Sequence, residues 1–157
     1  MSQEQWATWG YLPFIIGVLG LMIAFYFYVR VKRLPDGNEA MNRIAQYVRE
    51  GSMAFLMREY KVLAVYALVV FGLLSASLGI MAGGSFLLGA SLSLLAGFCG
   101  MKAATYANVR TAQAAREGSR PNALLTALDG GAVMGLSVAG LGLIGMAGVY
   151  FVFREHE

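Results

Sequence analysis

Asp36, Glu39, Glu50, Glu59, Glu117 and Asp129 are the carboxylates that stand between the apolar stretches of this sequence. Carboxylates that converge can hold magnesium, and through it a phosphate group. These do not converge by spacing. Asp36 and Asp129 are the two aspartates and lie far apart, and no acid repeats at four-residue intervals in an apolar segment. Asp129, just before Gly130-Gly131, lies closest to an apolar run. A carboxylate inside a membrane is a functional flag, so Asp129 is a candidate gating or ion-handling group. The blander reading puts it at an interface, in the first turns of a helix, where an acid is favourable. Glu50 and Glu59 stand beside Arg49, Arg58 and Lys61 and read as a solvated or salt-bridged face.

Other chemistry is missing. There is no glycine-rich phosphate loop ending in Lys-Ser or Lys-Thr. No Cys and His cluster has metal-ligand spacing. Cys99 is the single cysteine, so no internal disulfide forms, and its apolar helix makes it a small packing residue. His156, penultimate in a charged tail, reads as solvated. The residues therefore assign no catalytic, cofactor-binding or metal-ligating position.

The elements that would carry these groups are membrane helices. Of 157 residues, 58% are hydrophobic and 13% charged, against about 25% charged in ordinary soluble domains. The net charge of +3 comes from basic residues clustered at membrane edges, not from a groove-facing patch, so nucleic acid is not an expected partner. Spans are expected at about 12–29, 62–82, 86–104 and 132–153, within one transmembrane helical unit over 1–157. Trp6, Trp9 and Tyr11 make an interfacial belt at the start of the first span. Tyr150, Phe151 and Phe153 end the fourth. Glu4, without any Lys or Arg in residues 1–9, argues against a cleavable signal peptide. A tight turn around Gly83-Gly84 is expected to join spans two and three.

Two spans run on into water. Phe86 to Met101 carries no charge, and then Lys102, Arg110 and Arg116 appear while helix formers continue. Gly118 and Pro121 stop that helix. Pro35-Asp36-Gly37 is a turn and Asn38 a helix N-cap. Apolar or small residues then recur at Met41, Ile44, Ala45, Val48, Ser52, Phe55 and Leu56, a helical stripe. A single helix from about Asn38 to about Ala82 is preferred over one lying on the membrane surface. The fold class is all-α, a polytopic membrane protein with four transmembrane helices, two with long cytoplasmic extensions.

Eleven of the 12 Lys and Arg residues fall between spans one and two or between spans three and four; only Arg154 does not. The two basic loops are thus cytoplasmic and both termini outside. Gly89, Ser93 and Gly97, then Gly131, Gly135 and Ala139, and Gly142, Gly145 and Gly148 mark close helix packing. Self-dimerisation through these faces is the alternative.

Three blocks go further: GNEAMNRIAQYVREGSMAFLMREYK (37–61), AGFCGMKAATYANVRTAQAA (96–115) and GGAVMGLSVAGLGLIG (130–145). In this order they resemble the N-terminal part of the membrane-integral pyrophosphatases, the pyrophosphate-energised proton or sodium pumps. Family members are several times longer, and this chain resembles their first four helices. The resemblance implies a multi-pass protein of the cell (inner) membrane. It implies a homodimer whose inner helices, absent here, hold magnesium and pyrophosphate, with potassium or sodium as further cofactors. This piece would be outer-ring scaffold, packed against lipid and the pump's remaining helices. Alone, it is expected to be inactive. Asp129 stands where a neutral or basic residue is expected in relatives, so no inherited role passes to it. The alternatives are a self-contained small four-helix transporter and a non-catalytic membrane scaffold. The transporter would need a coupling carboxylate in an early span, and spans one to three lack one.

Overall fold

The structure is a computed structural model that describes residues 3–154, and the side chains of 11–152. His156 lies outside the described residues, and the side chains of Trp6, Trp9 and Phe153 lie outside the described side chains. Four helices follow in order: α1 Gln3–Lys32, α2 Glu39–Leu78, α3 Ile80–Arg116 and α4 Arg120–Arg154. Each is long and apolar enough to cross a membrane, and no strand occurs among the described residues.

The helix ends follow from local chemistry. Pro35, which lacks an N–H, lies just past the end of α1. Gly37 then turns the chain at φ +89°. Asn38 caps α2, its Oδ1 accepting the Met41 N–H at 2.9 Å. From there α2 runs unbroken for 40 residues, about 60 Å of helix against a hydrocarbon core of about 30 Å. The stretch 38–61 is thus the leading half of one long helix. At the end of α3 the Ser119 N–H bonds back to the Ala114 carbonyl and the Gly118 N–H to that of Ala115. With Gly118 at φ +80°, this is a Schellman stop. Pro121 follows in the first turn of α4, where a proline costs nothing.

Two sequence expectations need correction. The turn between α2 and α3 lies at Gly79, at φ +94° and ψ 162°, and not at Gly83-Gly84. Gly83 sits inside α3, where a Cβ would strike the Ser75 hydroxyl and come within 3.1 Å of the Phe71 carbonyl. Its missing side chain serves the approach of the two helices. The second correction concerns Asp129. Because α4 begins at Arg120 rather than near Ala132, Asp129 lies nearly three turns in. The helix-terminus field fades within the first turn, so it does not account for an acid there.

In space the helices stand in the order α2, α3, α4, α1. The α3–α4 and α4–α1 interfaces are the most extensive, α1 touches α3 lightly, and α2 packs on α3 alone. The buried positions are mostly small, among them Ala24, Ala45, Ala96, Ala103, Ala107 and Ala147. Small residues let backbones close up where lipid offers no hydrophobic drive. At the α1–α4 crossing, a Cβ on Gly17 would lie 2.7 Å from the Gly140 carbonyl oxygen, and one on Gly140 2.8 Å from that of Gly17. Gly100 faces Met134, and Gly130 faces Ala107. Of the expected small-residue faces, Gly145 meets Leu92, whereas a Cβ on Gly135 meets nothing within 4 Å. Gly97 has only an ordinary approach to the Tyr60 hydroxyl, 3.7 Å away. That hydroxyl donates to the Leu94 carbonyl at 2.5 Å, tying α2 to α3. Large apolar side chains such as Phe25 and Leu73 point outward, the surface that hydrocarbon would cover.

Candidate functional site

The basic ends of α1 and α3 meet the first turns of α4 around Arg110. An α-helix leaves its last carbonyls without partners. At the end of α1, Arg110 Nη2 donates to the Lys32 carbonyl at 3.0 Å, and its Nε to the Leu34 carbonyl at 3.1 Å. Nη1 donates to the Tyr106 carbonyl of its own helix, also at 3.0 Å. The planar guanidinium spans this fork, and its positive charge suits the negative end of α1. Arg110 is buried, at 7% exposure, so these bonds are largely shielded from water. It lies in the extension of α3 beyond residues 86–104. Burial lowers its pKa from the ordinary value, and the Asp36 carboxylate is the first influence opposing that. It stays charged at any ordinary pH.

Tyr106 gathers the cluster. Lys32 Nζ lies 5.7 Å from its ring centroid, Arg49 Cζ 5.2 Å and Arg110 Cζ 5.5 Å, each within cation–π range. Tyr28 meets the same ring edge-on at 6.1 Å. One aromatic side chain of α3 thereby touches cations of α1, α2 and α3.

Asp129 is drawn into a different pair. Its Oδ2 lies 3.4 Å from Arg30 Nε, with the two side chains 12% and 50% exposed. The pair joins α1 to α4 on the wall of a cleft of about 250 Å³ that Arg110, Gln113 and Glu117 also line. The remaining carboxylates go elsewhere. Asp36 lies in the α1–α2 turn and Glu39 in the first turn of α2. Glu50 accepts from Gln46 Nε2 at 2.9 Å, and Glu117 from Gln113 Nε2 at 2.6 Å. Glu59 is half-buried on α2. No group of three metal-capable side chains occurs among the described residues. Magnesium asks for several converging oxygens, and this donor set does not fit it.

Sequence reasoning counted Arg110 as one more basic residue and missed its capping role. The available signal was its setting, a lone Arg in the small-residue run ATYANVRTA. A cation inside such a packed face needs acceptors close by.

On the opposite side of the α3–α4 layer a groove of about 580 Å³ runs between Ser85, Gly89 and Ser93 of α3 and Leu141, Gly142 and Gly145 of α4. A second stretch of about 510 Å³, also lined by Met134, passes Gly100, Ala104 and Gly131. Leu92, Met134, Val138, Met146 and Val149 also line the first stretch, and among the described residues no side chain closes the groove over.

Residues 18–157 match the family described as inorganic H+ pyrophosphatase. The chain is 43% identical over 145 residues to the K(+)-stimulated pyrophosphate-energized sodium pump of Thermotoga maritima, covering 92% of this chain and 20% of that protein. It is 37% identical over 154 residues to the K(+)-insensitive pyrophosphate-energized proton pump of Pyrobaculum aerophilum, covering 94% and 21%. With the K(+)-insensitive proton pump of Methanosarcina mazei it shares 40% over 147 residues, covering 91% and 22%. The chain thus spans about a fifth of the length of these curated relatives.

Proposed function

This chain belongs to the inorganic H+ pyrophosphatase family, and from that we propose that it is one part of a pump that couples pyrophosphate hydrolysis to proton or sodium transfer. In this reading its four helices are scaffold. They stand outside the helices that bind substrate, and they supply no catalytic, cofactor-binding or metal-binding residue. The carrying observation is the open groove along α3 and α4, beside a donor set that does not fit magnesium. A groove that mixes Gly, Ala and Ser with Leu, Val and Met side chains is a surface against which further membrane helices can pack. The pump's remaining helices are the proposed occupants. Magnesium and pyrophosphate would be held by them, and the homodimer implied by the family resemblance would be built on the whole pump.

Charge orients the unit. With the basic loops 30–61 and 102–120 cytoplasmic, both ends of the chain face outward. The fork of Arg110 and the long basic halves of α2 and α3 then stand at the cytoplasmic face, bracing a site held by other helices. Relatives that pump sodium and relatives that pump protons resemble this chain about equally. That is what a scaffold region without ion-selecting groups would show.

A chimera tests the proposal. The matching fifth of the Thermotoga maritima pump is replaced by this chain, and magnesium-dependent pyrophosphate hydrolysis is assayed in membranes. Hydrolysis within about tenfold of the parent, or roughly 1.4 kcal/mol, is expected of a scaffold exchange. A chimera that reaches the membrane as a folded protein yet hydrolyses nothing would count against it.

A further inference from the structure

The groove along α3 and α4 mixes small residues with Leu, Val and Met side chains, and a second groove is richer in aromatic rings. Between α1 and α3, over α4, a groove of about 300 Å³ is lined by Leu21, Phe25, Tyr28, Phe98, Cys99 and Lys102. Ala24, Val133 and Ser137 complete its walls, which carry three aromatic rings and no glycine. At its basic end the groove opens toward the cations around Tyr106. Tyr28 belongs to both, lining the groove and meeting the Tyr106 ring. Lys102, one turn before Tyr106 on α3, stands over Phe98 at 5.6 Å.

The cations here outnumber the carboxylates, of which Asp36 acts on Arg110. Arg110 spends its donors on backbone carbonyls. Arg30 has Asp129. Lys32, Arg49 and Lys102 form no ion pair with a carboxylate among the described residues. Lys32 and Arg49 come from helices whose backbones do not approach each other, and both point at one ring. Like charges so placed repel unless an anion lies between them. A hydrocarbon-lined groove ending in a rim where cations are in excess has the polarity of a phospholipid: chain below, phosphate above.

We propose that this face holds an anionic phospholipid, with its phosphate between Lys32 and Arg49 and an acyl chain in the groove past Phe98 and Cys99. The lipid would join α1 to α2, which share no direct packing, and would fix the basic end of the bundle at the membrane surface. The inference rests on the transmembrane reading of the helices but not on the pump assignment, because it involves no pyrophosphate chemistry.

Cys99 provides the readout, since it is the single cysteine and lines the groove. The chain is purified in mild detergent and stripped of lipid. N-ethylmaleimide labelling of Cys99 is then timed against added phosphatidylglycerol or phosphatidylcholine. Phosphatidylglycerol is expected to protect Cys99, and phosphatidylcholine to protect it far less. In Lys32→Gln/Arg49→Gln, half-protection should need about fivefold more phosphatidylglycerol for each charge removed. Lys32→Arg/Arg49→Lys should behave as wild type, which separates charge from damage to the fold. Arg58→Gln/Lys61→Gln, outside the cluster, should change nothing. Equal protection by both lipids would overturn the proposal. So would protection by free phosphate alone, a charge-conserving variant as weak as the neutral one, a control pair with the same effect, or a thiol unreactive before any lipid is added.

Discussion

Without its guanidinium, Arg110 would leave the Lys32 and Leu34 carbonyls facing a packed helix junction with no donor. Bonds to a charged donor contribute more than neutral ones, and an unmet buried acceptor costs in its own right. Arg110→Ala should therefore destabilise the bundle by about 3 kcal/mol, read as a lowered midpoint of thermal unfolding in detergent. Arg110→Lys should recover less than half, because one ammonium cannot reproduce the fork that spans the Lys32 carbonyl of α1, the Leu34 carbonyl just past it and the Tyr106 carbonyl of α3. A lysine variant as stable as wild type would show that charge alone matters there. The sequence shows why this residue was hard to read. Arg110 looks like any other basic residue when charges are counted for orientation, and two of its three acceptors lie 76 and 78 positions away. Asp129 misled in another way. A fourth span expected from about residue 132 put it in a helix's first turns, yet the structure gives it Arg30 as partner in the third turn of α4.

At the scale of the helices, glycine decides which pairs close up. The crossing of α1 and α4 is set by Gly17 and Gly140, each against the other's backbone oxygen. Gly140→Leu should cost about 1–3 kcal/mol through overpacking, while Gly135→Leu, with open space around it, should leave the unfolding midpoint nearly unchanged. Equal losses at both would mean that the Gly135 face is covered within these four helices. Four-residue spacing made the stripe on α4 legible but not which of its members touch. A glycine needed for a turn and one needed for an approach look alike in sequence. Hence Gly83-Gly84 drew the turn that belongs to Gly79. Caps were easier. Asn38 and the Gly118–Pro121 stop act through bonds within a few residues, and the structure realises both. The length of α2 was legible for the same reason, since only Gly51 and Gly72 interrupt its helix formers and neither has a reason to bend it.

As a whole, the described residues form four long helices whose basic ends meet around Arg110 and Tyr106 and whose α3–α4 layer carries an open groove. Its proposed orientation has a direct check. Single cysteines at Gln3 and Ser119, in a Cys99→Ala background, should react with an impermeant reagent from opposite sides of the membrane, because 11 of 12 basic residues lie in the two loops assigned to the cytoplasm. Reaction of both from one side would refute that orientation. The central claim, that this region braces a pyrophosphate site without contributing to it, meets its most direct test in the chain itself. Pyrophosphate is bound with magnesium, and its hydrolysis needs an oriented water and stabilised phosphoryl oxygens. Purified chain given magnesium and pyrophosphate should release no phosphate above a buffer control. Metal-dependent release that Asp129→Asn abolishes would contradict the account and make Asp129 a catalytic residue.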